Sequence, residues 1–462
     1  MNEAAATTVE HARGTAIFVC VLAALAGLMF GLDIGVISGA TQFIQKAFDI
    51  SDQVIEWIVS AMMLGAALGA VGAGWLSGHL GRKRSLMLGA VLFVAGSLLC
   101  GFAWSPESLI AGRVVLGLAI GIASFTAPLY LAEVAPEYIR GAMVSLYQLM
   151  ITIGILVAFL SDTAFSYRGN WRWMLGVIAI PGVLFLAGVF RLPESPRWLL
   201  MAGRKEKALD VLRQLRGDPA VVRREAADIE EQLKTPQLGW HLFLENSNFR
   251  RSVGLGMLLQ LVQQLTGINV VMYYAPRIFQ SMGYNTEAQM WFTAAVGLTN
   301  VLATFIAIAY VDRWGRKPIL YAGFVVMAVG LGIVGTLMHL GINTPSEQLL
   351  AVAMLLVFII GFAMSAGPLV WTICSEIQPL KGRDFGIGAS TLTNWVVNMV
   401  VGATFLTLLN NFGHAQTFWL YAALNASFIW FTYALVPETK GVTLEQIERK
   451  LMHGVRLRDI GQ

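Results

Sequence analysis

Charge is what this chain has least of. Only 13% of its 462 residues are Asp, Glu, Lys or Arg, against ~25% in an ordinary soluble domain. A chain of this length surrounded by water would need far more polar surface, so a soluble globule is excluded. Cysteine is scarce too. Cys20, Cys100 and Cys374 sit in apolar runs without motif spacing, which argues against a disulfide framework or a zinc site. No nucleophile, metal cluster or nucleotide-binding loop stands out, so neither an enzyme nor a resident cofactor is expected, and nucleic acid is not an expected partner. No run alternates with period two, which argues against a membrane β-barrel. A cleavable signal is also missing: the first thirteen residues are polar, with Glu3, Glu10 and Arg13, and the apolar run after them is longer than a signal core.

What the chain does have is apolar length. Apolar residues make up 56%, and 47 glycines suit close helix contact in a bilayer. A membrane helix needs about 20 mostly apolar residues. Twelve such runs are found, near 16–40, 54–78, 85–104, 107–131, 141–161, 173–192, 252–279, 290–311, 319–341, 349–374, 385–409 and 416–436. The expected architecture is an all-α integral membrane protein of twelve transmembrane helices in two six-helix pseudo-symmetric bundles. The expected division is a tail over 1–13, bundles over 14–192 and 252–437, linker helices over 193–251 and a tail over 438–462. In the linker, Ser195-Pro196 and Asp218-Pro219 are helix starts, the second running to about Lys234, and a third helix is a candidate from Trp240 to Phe249. The linker reads either as a solvated connection or as a helical cap that latches the two bundles. With both termini placed in the cytoplasm, Lys46, Arg168 and Arg172 fall outside, Arg113 and Arg277 lie within spans, and every other Lys and Arg falls inside. That asymmetry selects the orientation.

The chain also says the same thing twice. Glu133, Pro136 and Arg140 are matched by Glu376, Pro379 and Arg383; Gly81-Arg82-Lys83 by Gly315-Arg316-Lys317; Pro193-Glu194-Ser195 by Pro437-Glu438-Thr439. A repeat of half the chain in apolar sequence points to two similar bundles with a substrate site between them.

Several polar residues lie in lipid-length runs. Gln148, Gln263, Gln264, Asn269, Asn300, Asn394 and Asn398 supply amides, which donate and accept at once, with Trp371, Phe362, Tyr273, Tyr274 and Trp395 as aromatic walls. Gly267 and Gly367-Pro368 are places for helices to break. Taken singly, an amide in a span is as often an interhelical bond as a ligand contact, and Gln260 reads as structural. Asp33, deep in the first run, is functional by default, and Arg113 in the fourth is its natural partner. Burial favours a neutral carboxyl and a guanidinium favours the carboxylate, so a pair that forms and parts would swing its proton affinity; a static pair bracing two helices is the alternative. Glu133, Arg140, Asp312, Arg316, Glu376 and Arg383 cluster at loop ends, either as a cytoplasmic gate or as topology and lipid anchors.

The whole chain resembles the sugar porters of the major facilitator superfamily. The matching strings are Arg113-x-x-x-Gly117-x-x-x-Gly121, Pro193-Glu194-Ser195-Pro196-Arg197, Gln263-Gln264-x-x-Gly267-x-Asn269, Asp312-Arg313-Trp314-Gly315-Arg316-Lys317 and Pro437-Glu438-Thr439-Lys440-Gly441, in order and over essentially the full length. The first basic loop departs from the pattern, because Gly78-His79-Leu80-Gly81-Arg82 lacks the Asp-Arg of the second copy. The resemblance implies alternating access, a hexose (galactose or glucose) imported with a proton, and no cofactor. It puts Gln148, Gln263, Gln264, Asn269, Asn300, Trp371, Asn394 and Asn398 on the sugar, with Phe362 added for its position before the Gly-Pro kink, and it favours Asp33 and Arg113 as the proton couple. A multi-pass protein of the bacterial inner membrane, in contact with lipid and working as a monomer, is the expected setting. The rivals are a passive facilitator of the same fold, a drug or organic-cation carrier, which would want an acid in an apolar pocket, and a non-transporting sugar sensor.

Overall fold

The computed structural model describes residues 3–234 and 239–461, with the side chains of residues 3–9, 311–312 and 445 outside the description. The described residues are helical and contain no strand. Twelve spans are long and apolar enough to cross a bilayer: α1 (Glu10–Phe48), α2 (Asp52–Leu80), α3 (Arg82–Gly101), α4 (Pro106–Val134), α5 (Glu137–Ser166), α6 (Trp171–Val189), α7 (Ser247–Ser281), α8 (Thr286–Tyr310), α9 (Arg316–Leu340), α10 (Pro345–Glu376), α11 (Leu380–Phe412) and α12 (His414–Leu435). Six precede the linker and six follow it. Because the spans alternate in direction, both termini and the linker share one end of the molecule, here called the linker end.

Local sequence sets the turns. Ser105 and Ser108 form a reciprocal cap at the start of α4, and Thr344 and Glu347 do the same for α10, each with Pro at the first helical position. At the linker end, α2 turns into α3 at Gly81 (φ 95°) and α8 leads into α9 at Gly315 (φ 89°), a backbone region that only glycine enters cheaply. Between the bundles, short helices occupy Pro196–Met201, Lys205–Arg216, Pro219–Leu233 and Gly239–Glu245. Ser195 and Asp218 cap the first and third of these with their side chains. The third candidate helix ends earlier than the sequence suggests, because Asn246 caps Asn248 and Phe249 and so starts the next span.

Two spans are interrupted. α7 breaks at Gly267 (φ 91°, ψ 8°), and Asn425 of α12 donates to the Thr266 carbonyl at the break. α10 breaks at Ser365 (φ −127°, ψ −90°). Backbone irregularity inside a bilayer survives only where protein surrounds it, and both breaks are buried.

Glycine lets the first bundle close tightly. α1 crosses α5 at Gly31 and Gly154, and α2 crosses α4 at Gly65 and Gly117. A Cβ on Gly117 would stand 2.8 Å from both Ala66 N and Gly65 Cα, with backbone on every side and no flexible side chain to yield. Gly117→Val is therefore expected to cost on the order of 3 kcal/mol, the upper part of the usual overpacking range. A thermal unfolding midpoint unchanged from wild type in detergent would contradict this close approach.

Candidate functional site

Asp33 and Arg113 are fully buried, and the Arg113 Nη1 to Asp33 Oδ1 ion pair joins α1 to α4. The pair is unsaturated. Asp33 Oδ2 and Arg113 Nε and Nη2 are buried with no hydrogen-bond partner among the described residues. A free carboxylate oxygen beside a singly engaged guanidinium leaves a place for one proton.

Tyr273 of α7 lies in the electrostatic field of that pair and leads to the amides. Asn398 of α11 donates to the Tyr273 hydroxyl at 3.2 Å, while its own Oδ1 is buried without a partner. One turn earlier, Asn394 donates to Gln263 at 2.9 Å and to Gln260 at 2.6 Å. Gln263 in turn donates to the carbonyls of Ala366 and Gly367, just past the break in α10. Gln264 accepts from Asn269 across the break in α7. The two interruptions and α11 thus converge on one amide cluster.

Asn300 is buried in α8 and Gln148 half-buried in α5. Trp371, in the second half of α10, is exposed, and the Phe362 ring stands where a Cβ on Gly367 would come within 3.2 Å of it. Tyr274 turns away and donates to the Gly402 carbonyl. Trp395 packs on Phe30 of α1 at 5.4 Å between ring centroids, which brings an aromatic from each half together. An apolar cavity of about 380 Å³ opens elsewhere, between α8, α9 and α10, lined by Tyr310, Trp314, Ile319, Val326, Ile360 and Met364 among others. It contains none of these amides.

At the linker end the repeated motifs meet each other. Glu194 accepts from the Arg82 and Lys83 backbone amides, and Glu438 from those of Arg316 and Lys317, so each acid caps a helix start. Glu133 takes both Arg82 donors, at 2.8 and 2.7 Å, and the Ser195 hydroxyl at 2.5 Å. Glu376 takes Arg316 at 3.0 Å and the Thr439 hydroxyl at 2.5 Å. The acids thus pair within their own bundle, not across bundles. Arg140 is exposed and Arg383 half-buried with its Nε unpartnered among the described residues. The side chain of Asp312 lies outside the described residues.

The bonds that do cross between bundles lie at the opposite end. Gln42 donates to Gln289, Asn410 donates to Asp52, Arg277 pairs with Asp52 at 3.5 Å, and Thr407 donates twice to Glu56. Thr163 bonds the Met290 carbonyl and Tyr167 bonds Glu287. Among the described residues no such bond crosses at the linker end.

Gln260, which the sequence marks as structural, is an interhelical partner, and two residues went unflagged, Glu56 and Asp162. Gln260 shares Asn394 with Gln263, although its spacing sets it on the side of Gln264. Glu56 and Asp162 are buried acids within spans; among the described residues Asp162 accepts only the Gly39 amide, at 3.1 Å. An acid inside a lipid-length run is itself the signal that finds both.

Residues 19–451 match the model of the family described as "Sugar (and other) transporter". The chain belongs to that family. It is 66% identical over 445 residues to the galactose-proton symporter of Escherichia coli (strain K12), covering 96% of each chain. It is 58% identical over 468 residues to the arabinose-proton symporter of the same strain, covering 100% of this chain and 99% of that one. The partially occluded inward open conformation of the xylose transporter XylE from E. coli superimposes with a TM-score of 0.82 at 28% identity, covering 93% and 99% of the two chains. The proton:xylose symporter XylE, of the major facilitator superfamily, bound to 6-bromo-6-deoxy-D-glucose gives 0.80 at 30% identity, covering 94% and 98%. The all-helical twelve-span architecture and the family expected from the sequence are both found.

Gln260→Leu strips Asn394 of one acceptor inside a water-poor site. It is expected to destabilise this sugar transporter by ~1–3 kcal/mol, read as a lowered unfolding midpoint; a midpoint equal to wild type would remove Gln260 from the cluster.

Proposed function

We propose that the protein is a secondary active transporter that imports a hexose together with a proton by alternating access. The observation that carries the reading is the unsaturated, fully buried Asp33–Arg113 pair in one bundle together with the cluster of buried amides in the other. A neutral polyol needs donors and acceptors rather than charge, and a proton needs a carboxylate whose partner can let go. The galactose- and arabinose-proton symporters among its relatives support the same pairing of solutes.

In this reading Gln148, Gln263, Gln264, Asn269, Asn300, Asn394 and Asn398 bind the sugar hydroxyls. Trp371 and Phe362 cover its apolar face. The linker end faces the cytoplasm, as the Lys and Arg distribution requires, and the described state is open toward that side, since its cross-bundle bonds gather at the other. The membrane is the bacterial inner membrane, and one chain is the working unit. Residues 14–192 and 252–437 rock as two bodies about the site, joined by the helices of 193–251. Glu133, Arg140, Asp312, Arg316, Glu376 and Arg383 form the cytoplasmic gate, with Glu133 and Glu376 stiffening their own bundles while the gate is open.

The cycle follows from the free oxygen of Asp33. With the outside open, a proton lands on Asp33 and releases Arg113. The amide cluster takes the sugar, the bodies rock, and the cytoplasm receives both solutes. The pair then reforms and the empty carrier returns. The membrane potential contributes ~2.3 kcal/mol per charge per 100 mV, enough to concentrate sugar many-fold.

Asp33→Asn is expected to abolish uphill accumulation in proteoliposomes while sparing sugar exchange; full accumulation by that variant would overturn the coupling. Asn394→Ala is expected to raise the half-saturating sugar concentration about tenfold, the worth of one good hydrogen bond, with uphill accumulation still driven by ΔpH. An unchanged concentration dependence would move the sugar elsewhere.

A further inference from the structure

Beyond Asp33, the far end of the molecule holds a second carboxyl that the transport reading leaves idle. Glu56 lies one turn into α2 and is 2% exposed. Its partner is in the other bundle: Thr407 of α11 donates its backbone N–H to Oε1 at 2.8 Å and shares its hydroxyl with Oε2 at 2.6 Å. No cation among the described residues pairs with it. Arg277 of α7 points instead to Asp52, which also receives Gln45 and Asn410.

The groups facing Glu56 can be named from each neighbouring element. On its own helix it has Asp52, a like charge one turn away. From α7 come Arg277, engaged with Asp52, and Tyr274, whose hydroxyl is committed to Gly402. From α11 come only the neutral Thr407 and Asn410, since Arg383 and Asp384 sit at its other end. α4, packed along α2, sends Arg113 to Asp33. A buried carboxylate with an acid nearby and no cation of its own is costly. A carboxylic acid fits the same contacts without charge, its C=O accepting from the Thr407 N–H and its O–H donating to the Thr407 hydroxyl.

We infer that Glu56 is a second proton-binding residue of the transport cycle, ionised when the far seam is open to water and protonated when Thr407 closes over it. The proton comes from external water onto Oε2 and returns there on reopening. The inference rests on the proposed symport cycle, in which the far end is the outer face. The sign follows from linkage. The closed state binds one more proton than the open state, so acid outside favours closure and alkali favours opening. One linked proton changes the open-to-closed ratio by up to about tenfold per pH unit.

The test reads conformation rather than transport. Spin labels go on Phe102→Cys and Leu340→Cys, exposed residues at the far end of each bundle, in a full-length protein whose three buried cysteines are replaced by alanine. Distances between them are recorded in lipid nanodiscs from pH 5 to pH 8. The wild-type open fraction is expected to fall as pH falls. Glu56→Gln, whose amide makes the same two contacts as the acid, is expected to stay closed and to flatten the response by about tenfold per pH unit, the effect of one proton. Glu56→Met, of similar volume and without a titratable group, is expected to lose the same steepness, and it serves where the glutamine variant fails to assemble. A Glu56 variant that keeps the wild-type steepness overturns the inference. Loss of ΔpH-driven accumulation in Asp33→Asn bears on the symport reading alone, so the two can fail separately.

Discussion

A guanidinium and a carboxylate, both sealed from water at membrane depth and touching at one point, set the terms for the rest of this molecule. Two charges taken out of water repay their desolvation only when their remaining valences are filled. Here three polar atoms of the Asp33–Arg113 pair have no hydrogen-bond partner among the described residues. Such a pair is a poor brace for α1 against α4, and close helix packing in this bundle is carried instead by the glycine contacts of α1 with α5 and of α2 with α4. The pair makes better sense as an interaction near balance, in which one added proton tips the carboxyl from bound to released. Across from it in the second bundle, the Tyr273 hydroxyl accepts from Asn398 of the same bundle.

A balanced pair can drive a rocking motion only if the bodies that rock are stiff. The repeated motifs supply that stiffness. In each bundle an acid caps the helix after the glycine turn, and a second acid gathers an arginine and a hydroxyl beside it. The node ties α2, α3, α4 and the segment after α6 in the first copy, and α8, α9, α10 and the segment after α12 in the second. Glu133 engages Arg82 through Nε and Nη2, and Glu376 accepts from Arg316 Nη2 at 3.0 Å. The acidic partner missing from the first basic loop does not weaken its node, because Glu133 and Glu194 supply the charge that the loop lacks.

Much of this was legible in the sequence, for a physical reason. Length and apolarity fix the spans because lipid satisfies no backbone group. The repeats mark the two nodes, and the glycine and glycine-proline signals mark the two interruptions beside the amides. What could not be read was which partner each polar group takes. Gln260 and Gln264 are four residues apart and share a helix face by spacing, yet Gln260 joins Gln263 around Asn394 while Gln264 turns to Asn269. Glu133 lies in sequence beside Arg140 but is met in space by Arg82, fifty-one positions away. Periodicity orders residues around one helix; the depth at which a neighbouring helix crosses decides the pairing, and that depth is set by glycine contacts scattered along the chain.

The two ends of the molecule are unequal in a way that the energetics can use. Across the far seam the bundles share neutral and charge-assisted hydrogen bonds, each with a net worth of ~0.5–1.5 kcal/mol, or ~1.5–3 where an ionised group takes part. Together they amount to several times the ~2.3 kcal/mol released when one charge falls through 100 mV. Of these contacts, those at Asp52 and Glu56 run through carboxyls and so depend on protonation, as apolar contacts do not. The linker end has no such bonds between bundles among its described residues, so its closure must draw on side chains now held inside each node. The far end thus joins the bundles through polar contacts, while the acids and arginines of the linker end bond within each bundle.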